Sequence, residues 1–292
     1  LVEMNSTTKA LHENISPLLK ENIILLPGYY GIDDAEVKTF GRGGTDYSAG
    51  VLANVFSAKL EIWKDVSGFM SADPKAVKDA VQINNLSYDE AEELGYLGAK
   101  ILHPKTIAPL REKELFAEIK NLFDPDKKGT TISGKKDVCD LIVKSIATNK
   151  DIGIITVKSS SMVNSPGFAS KIFRKLAEKE IPIDLICTGE TAVSFSVNES
   201  DIEAAAEQLQ SLNDTIPCTI SSEKELAMIG IIGECMKDSK GIAGKLFTAM
   251  GENNINVELI SQGASEINIS FVVNRNNVDK AVEIAHKTFM GE

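Results

Sequence analysis

A glycine-rich stretch near the front of the sequence combines residue types that bind small anions. The stretch reads FGRGGTD, and it sets Arg42 among Gly41, Gly43 and Gly44, with Asp46 close behind. Glycine lets the backbone approach a ligand closely, helix N-termini attract negative charge, and arginine can hold a carboxylate through two hydrogen bonds. These residues predict a carboxylate or anion site, and a plain strand-to-helix turn with a solvated arginine is the alternative.

A second loop, WKDVSGFMSADPK, carries both signs of charge. It places Asp65, Asp73 and Lys75 around a turn at Gly68. Carboxylates beside a lysine suit the phosphates and Mg²⁺ of a nucleotide, although a solvated loop would use the same residues. The later stretch YLGAKILHPKT contains His103, and a lone histidine at such a position is more often structural.

The elements that must position these loops alternate between strands and helices. The pattern predicts a helix in residues 1–20, a buried strand over Ile23–Leu26, a short strand over residues 37–40, a helix that begins near Asp46, a strand over residues 60–66 and a helix in residues 87–102. Ser87 and Glu90 have the spacing of a helix capping box. This alternation predicts βαβ units around a parallel sheet.

The second half of the sequence contains an internal repeat. A polar stretch at residues 121–137 predicts a domain boundary, and beyond it residues 164–186 match residues 238–260. Gly167 aligns with Gly241 at an offset of 74, and the following strands align at an offset of 76. Each copy reads β-loop-helix-β-turn-β, the start of a ferredoxin-like βαββαβ unit. Two copies predict tandem small domains rather than a solenoid.

Polar groups flank the helix of the first copy. Ser165, Gly167 and Phe168 would begin that helix, whose N-terminus can bind a carboxylate. Asp184 and Glu190 could pair with an ammonium group. Amide donors together with two carboxylates suit a free amino acid, whereas two domains packed face to face with solvated acids are the alternative.

Bulk composition excludes several classes of protein. A chain of 292 residues with 43% hydrophobic residues fits two or three ordinary globular domains. The net charge of −11 argues against a general nucleic-acid surface, and the scattered cysteines and three histidines form no zinc pattern. No apolar run is long enough for a bilayer and no signal peptide is evident, so we expect a cytoplasmic protein without membrane or nucleic-acid partners. Because the first residue is Leu1, we expect a trimmed sequence.

Taken together, FGRGGTDYSA, EIWKDVSGFMSADPK, LSYDEAEELGYLGAKILHPKTI and the two repeats resemble the aspartate kinase family, over essentially the whole chain. The resemblance implies an α/β fold: the C-terminal part of a carbamate-kinase-like amino-acid-kinase domain with a parallel sheet, then two ferredoxin-like ACT domains. The implied domains are residues 1–135, 150–222 and 225–292, and the last strand of the third is a candidate to complete the second. The implied activity is ATP-dependent phosphorylation of the β-carboxylate of L-aspartate, the first step toward lysine, threonine and methionine.

The resemblance also implies roles for individual residues. For the aspartate substrate it implies Arg42, Gly43, Gly44 and Thr45, with Asp46 as the catalytic residue that orients the reacting groups. For ATP, accompanied by Mg²⁺ with no residue assigned to the metal, it implies Lys64, Asp65, Met70, Lys75, Lys100 and Ile101. Lys64, Met70 and Lys75 replace the family's usual threonine, tyrosine and arginine, although lysine still meets phosphate as a point charge.

The first repeat resembles the effector-binding domain of lysine-regulated members. The implied effector residues are Met162, Ser165, Gly167, Phe168, Ala169, Ile183, Asp184, Gly189, Glu190 and Thr191. Gly189 stands where serine is common, which removes one hydrogen bond worth about 1 kcal/mol. L-Lysine is the implied effector, L-threonine is the runner-up, and a homodimer or dimer of dimers through the ACT domains is the implied assembly.

Two motifs of the family are absent from these 292 residues: its lysine–phenylalanine–glycine–glycine phosphate loop and an acidic substrate-side motif. Phosphoryl transfer depends on positioned positive charge, so we expect no turnover by these residues alone. An amino-acid-binding regulatory ACT module without kinase activity is the alternative, but it would not need Arg42 and Asp46. Another kinase of this type, acting on glutamate or acetylglutamate, is disfavoured by the tandem repeats.

Overall fold

The computed structural model describes residues 2–33, 35–41, 43–98, 101–134, 141–163, 165–214 and 216–291. The chain divides into two compact units, one made of Leu1–Ser71 with Ala80–Ser145 and the other of Ala72–Asp79 with Ile146–Glu292. Among the described helices none is both long and apolar enough to cross a membrane. The three domain ranges given above stay a prediction.

The first unit alternates helices and strands as predicted. Its elements are α1 (Met4–Asn14), β1 (Tyr30–Asp33), β2 (Glu36–Thr39), α2 (Gly44–Phe56), β3 (Leu60–Lys64), β4 (Asn85–Ser87), α3 (Tyr88–Tyr96), α4 (Ile107–Glu112), β5 (Ala117–Asn121) and β6 (Thr130–Ser133). Four strands form one sheet in the order β3-β5-β6-β4, and β1 pairs with β2 separately. The sheet is mixed: β3 is parallel to β5 and β4 to β6, whereas β5 and β6 are antiparallel.

One sequence expectation fails in this unit, and a second stays a prediction. Ile23 and Leu25, predicted to lie in a buried strand, are fully exposed in a segment without regular structure. No described strand pairs with this segment, so its apolar run has no sheet to join. The stretch predicted to be a domain boundary, residues 121–137, contains β6, whose Ile132 is completely buried, and the boundary itself stays a prediction.

The capping box predicted for α3 is confirmed and extended by a buried charge. The Ser87 hydroxyl accepts from the Glu90 amide, and the Glu90 carboxylate accepts from the Ser87 amide at 2.9 Å. Glu90 is fully buried and also accepts from the Lys144 ammonium at 2.9 Å. A buried carboxylate needs such a partner, so this ion pair anchors residue 144 to the start of α3.

The second unit contains the two repeats. Its elements are β7 (Ser145–Lys158, whose first residue belongs to the first unit), α5 (Phe168–Ala177), β8 (Ile186–Thr188), β9 (Ala192–Asn198), α6 (Ile202–Gln210), β10 (Thr219–Ile232), α7 (Ile242–Glu252), β11 (Leu259–Gln262), β12 (Asn268–Asn274) and α8 (Val278–Met290). The six strands form one sheet in the order β11-β12-β10-β7-β9-β8. The repeated β-loop-helix-β-turn-β pattern is therefore confirmed.

The long strands β7 and β10 are neighbours at the centre of this sheet. The second half of β7 pairs with β9, and the second half of β10 pairs with β12 in the equivalent register. Charged side chains repeat the symmetry: Lys150 pairs with Asp279 at 2.7 Å, and Lys224 pairs with Glu203 at 2.7 Å. The two repeats are thus related by an approximate twofold arrangement around the central strand pair.

Candidate functional site

The glycine loop ends at the N-terminus of α2, as the sequence predicts. Gly43 caps the helix with a left-handed φ of 76°, and the His103 side chain occupies the space that a Cβ at Gly43 would need. Any other residue would therefore meet both backbone strain and a clash. Gly44 is buried and Thr45 is exposed at the first turn, whereas Arg42 lies outside the described residues.

Asp46 lies in the first turn of α2 and pairs with Lys64 at the end of β3. Its carboxylate Oδ2 is 3.0 Å from the lysine Nζ, and both side chains are largely shielded from solvent. A carboxylate near a helix N-terminus is electrostatically favoured, and the lysine brings a positive charge to the same place. The fold therefore places one carboxylate and one ammonium group beside a glycine loop. This arrangement suits a ligand with both carboxylate and phosphate groups.

His103 joins this cluster, although the sequence favoured a structural role for it. Burial and the nearby Lys105 charge lower the pKa of its imidazole, while the Asp46 charge acts in the opposite direction. Its Nδ1 accepts from the Lys105 amide at 3.2 Å, which leaves Nε2 as the protonated nitrogen of a neutral ring. The available signal was its position in GAKILHPKT, just beyond residues assigned to ATP.

The other residues assigned to ATP are distributed more widely. Asp65 is exposed directly after β3, Ile101 is half-buried, and Met70 forms an antiparallel bridge with Gln82. Lys75 is exposed and belongs to the second unit, so its position relative to Lys64 is not described. Lys100 lies outside the described residues.

In the second unit, the loop of residues 159–167, here called the first loop, follows β7. Gly167 caps α5 with a left-handed φ of 81°, and the Ser159 amide donates to the Thr191 carbonyl at 2.8 Å. This hydrogen bond brings the turn of Gly189, Glu190 and Thr191 to the same end of the sheet as the first loop. Several predicted effector residues therefore meet there.

The apolar members of the predicted effector set serve the core of the first repeat. Phe168 is buried in that core, and Met162 and Ile183 pack against it while partly exposed. Ala169 and Ser165 are half-buried beside them. The apolar residues therefore pack beneath the first loop. The exposed polar residues of the predicted set, such as Glu190 and Thr191, are the ones accessible to a ligand.

Within one chain, Asp184 lies apart from the turn of Gly189, Glu190 and Thr191. Its amide donates to the Ser196 carbonyl, four positions along β9 from Ala192, or about 13 Å at the rise of an extended strand. The residue is exposed as a whole, yet surrounding protein atoms desolvate its carboxyl group and raise its pKa. Within the described part of the chain this carboxylate has no hydrogen-bonded or ionic partner.

The equivalent loop of the second repeat, residues 233–241, here called the second loop, has less exposed side chains. Met236 and Cys235 are buried, whereas their equivalents in the first loop, Met162 and Ser161, are half-buried and exposed. The Ser239 hydroxyl donates to the Cys235 carbonyl at 2.8 Å. The first loop therefore leaves more of its surface accessible to a ligand.

Two family models match the sequence: the amino acid kinase family over residues 3–121, and the ACT domain over residues 155–211 and 229–289. A bifunctional aspartokinase/homoserine dehydrogenase of Haemophilus influenzae is 35% identical over 295 residues, which cover 98% of this chain and 36% of that protein. The Clostridium acetobutylicum aspartate kinase structure matches with a TM-score of 0.87 and 30% identity, and the chain covers 67% of it.

Escherichia coli aspartokinase III is similar in two solved states. The complex with aspartate and ADP has a TM-score of 0.85 and 27% identity, and the chain covers 65% of it. The complex with lysine and aspartate has a TM-score of 0.82 at the same identity and the same coverage. The matches span 98% and 99% of this chain, so the likeness includes both compact units.

Proposed function

The chain belongs to the aspartokinase family, and from this premise we propose that the protein transfers the γ-phosphoryl group of ATP to the β-carboxylate of L-aspartate. One β-carboxylate oxygen forms a bond to the γ-phosphorus while the bond from that phosphorus to the bridging oxygen breaks. The products are 4-phospho-L-aspartate and ADP. The attacking carboxylate is already ionised, so the step needs oriented charge rather than a general base.

The observation that carries this proposal is the cluster at the N-terminus of α2. We assign the substrate to the glycine loop, where Gly43, Gly44 and Thr45 allow close approach, and Arg42 to its carboxylate. Asp46 would orient the reacting groups, and Lys64, 3.0 Å from it, would neutralise phosphate charge. His103, packed against Gly43, would hold the loop in shape.

Mg²⁺ would accompany ATP, and the residues present fit that ion. It favours one or two carboxylates together with phosphate oxygens, and the exposed Asp65 carboxylate follows β3 directly after Lys64. When bound, the ion would withdraw negative charge from the phosphates. We assign Met70, Lys75, Lys100 and Ile101 to the nucleotide on the family resemblance alone.

The test is ATP- and aspartate-dependent hydroxamate formation by the full-length protein. Asp46→Asn should lower kcat by at least about a hundredfold, because an oriented charge acts on the transition state. Asp126→Asn, an exposed loop carboxylate changed in the same way, is the matched control and should keep full activity. Absence of hydroxamate with aspartate in the unmodified protein would refute the proposal.

We also propose that the 292 residues alone do not turn over. The sequence lacks the family's lysine–phenylalanine–glycine–glycine phosphate loop, and phosphoryl transfer depends on positive charge positioned at the γ-phosphate. The chain also covers only 65% of the E. coli enzyme solved with aspartate and ADP. Clear hydroxamate formation by this chain alone would contradict this proposal.

For regulation we propose that L-lysine binds the first repeat and inhibits the enzyme, with L-threonine as the second candidate. The accessible first loop offers the N-terminus of α5 to the ligand carboxylate. The desolvated Asp184 carboxylate, without a partner in the described chain, offers a site for an ammonium group. One of the similar structures, E. coli aspartokinase III, was solved with lysine.

The separation of Asp184 from the turn at Glu190 supports a site completed by a second copy. The two positions lie about 13 Å apart along the strand, and we propose that two chains pair through their ACT domains and share the effector. Ile186 on the edge strand β8 is an exposed apolar side chain available to such a pairing. We place this homodimer in the cytoplasm.

Calorimetric titration with L-lysine and then L-threonine tests the effector. We expect saturable lysine binding that Asp184→Ala abolishes. Glu258→Ala removes the carboxylate at the equivalent position of the second repeat, and it should leave lysine binding intact. Binding heat from L-threonine and none from L-lysine would identify threonine as the effector. Heat from neither amino acid in a folded dimer would refute regulation through the first repeat.

A further inference from the structure

The segment of the first unit that contains Met70 is a small antiparallel hairpin. The Ser71 amide donates to the Val81 carbonyl at 2.8 Å, and the Ile83 amide donates to the Phe69 carbonyl at 2.8 Å. Met70 and Gln82 form the bridge between them. We call Phe69–Ser71 together with Val81–Ile83 the hairpin base, because the intervening residues leave it and return at these positions.

One buried hydroxyl joins the two arms of the hairpin base. Thr130, on β6, is completely buried, and its Oγ1 accepts from the Phe69 amide at 2.9 Å. The same hydroxyl donates to the Ile83 carbonyl at 2.6 Å. A single side chain therefore satisfies one donor and one acceptor on opposite arms, both of which would be left unpaired without it.

A second buried hydroxyl holds Met70, the middle residue of the first arm of the hairpin base. Ser145 is 3% exposed, and its Oγ donates to the Met70 carbonyl at 2.8 Å. Met70 is one of the residues that the family resemblance assigns to the nucleotide, and it stands in place of the usual tyrosine. The backbone on both sides of Met70 is therefore fixed by side chains from β6 and from the first residue of β7.

We propose that Thr130 and Ser145 are positioning residues for the nucleotide, which act by holding the hairpin base and with it Met70. This inference rests on the proposed function, because it takes ATP as the ligand of the Met70 segment. Neither hydroxyl is free to touch ATP, since each is buried and already hydrogen-bonded to the hairpin. Their effect must therefore pass through the backbone of Phe69, Met70 and Ile83.

The experiment compares Thr130→Val, Ser145→Ala and Thr130→Ser in the full-length protein. Valine keeps the shape of threonine but loses the hydroxyl, and serine restores the hydroxyl. Thr131→Val is the matched control, because alternate residues of a strand point to opposite faces and Thr131 is half-buried rather than buried. The measurements are KM for ATP, KM for aspartate, kcat, and hydrogen exchange of the peptide that spans residues 68–83.

We expect Thr130→Val and Ser145→Ala to raise KM for ATP about tenfold, the loss associated with roughly one hydrogen bond of positioning. KM for aspartate and kcat should stay within about twofold, which a general loss of folding would not produce. Exchange of the Phe69 amide, which donates to Thr130, and of the Ile83 amide, which donates to the Phe69 carbonyl, should accelerate in Thr130→Val. Thr130→Ser should restore KM for ATP, and Thr131→Val should leave every quantity unchanged.

Two results would overturn the inference. Faster exchange without a change in KM for ATP would make the hydroxyls structural only, and equal losses for ATP and aspartate would remove the specific link to the nucleotide. If the unmodified protein fails to phosphorylate aspartate, the proposed function falls instead. Calorimetric affinity for MgADP in the same variants then decides the inference, and affinity that is absent or equal in all variants refutes it.

Discussion

The two repeats share one fold but differ in what their loops leave open. Both helices start at a left-handed glycine, with φ of 81° at Gly167 and 83° at Gly241. Both cores contain an edge-on aromatic pair, at 6.1 Å in the first repeat and 5.7 Å in the second. Met162 in the first loop is half-buried, whereas the equivalent Met236 in the second loop is buried. Core and cap residues therefore set the fold of each repeat, whereas loop side chains decide where a ligand fits.

The repeats also differ in charge where they meet. Glu199 and Arg275 occupy equivalent positions after β9 and β12, and they form an ion pair with each other. Two identical repeats would bring like charges together here, which repel. A tandem chain can give the two copies opposite charges, so this pair is available only because the repeats have diverged.

The largest expected effect tests whether the two cores are equivalent. Phe195 and Phe271 are equivalent and completely buried, so Phe195→Ala and Phe271→Ala should each lower the free energy of unfolding by about 3–5 kcal/mol. Urea denaturation followed by circular dichroism measures both. Phe123→Ala removes an exposed phenylalanine and should cost little. A marked difference between the two losses of unfolding free energy would show that the two cores contribute unequally to stability.

A second prediction tests the ion pair between Glu199 of the first repeat and Arg275 of the second. Glu199→Gln and Arg275→Gln should each lower the free energy of unfolding by about 1.5–3 kcal/mol. Both side chains are largely shielded from solvent, and the hydrogen bond between them joins two charged groups. The double variant should cost much less than the sum of the single ones. The more exposed pair of Lys224 with Glu203 should show a coupling below about 1 kcal/mol in the same cycle. Additive effects at Glu199 and Arg275 would contradict the assigned pairing.

A third prediction concerns the shared helix caps. Gly167→Ala and Gly241→Ala should each cost about 1–2 kcal/mol in urea denaturation, because alanine is strained at positive φ even where space is open. Gly244→Ala lies inside α7 with open space around it and should stabilise by up to about 1 kcal/mol. A cost confined to one of the two caps would weaken the equivalence of the repeats.

The smallest effect is expected from Asp184. Because its folded-state pKa is raised above the ordinary value of 3.8, ionisation of the carboxyl opposes folding. The penalty is absent below the unfolded pKa and complete above the folded pKa. Asp184→Asn should therefore be more stable than the unmodified chain at pH 7, by under about 1 kcal/mol, and the difference should vanish as pH falls toward 3. A stability advantage that grows at low pH would contradict this sign.

Several elements follow from local sequence because their signals are local. The capping box of Ser87 and Glu90, the acidic first turn of α2 and the helix-starting glycines each depend on residues within one turn of the chain. The repeat was visible because alignment needs no tertiary information. The strand predicted at Ile23–Leu26 failed for the opposite reason: a strand exists only with a neighbour, and no described strand supplies one.

Sequence alone is enough to recognise the family resemblance, the repeat and the residue types at the glycine loop. Tertiary structure decided which of these residues meet: His103 against Gly43, Lys64 beside Asp46, and the Thr130 hydroxyl between the arms of the hairpin base. It also decided that Asp184 lies apart from the turn at Glu190. Hydrogen bonds, ion pairs and side-chain packing act over a few ångströms, so partners separated by tens of residues are chosen only when the chain has folded.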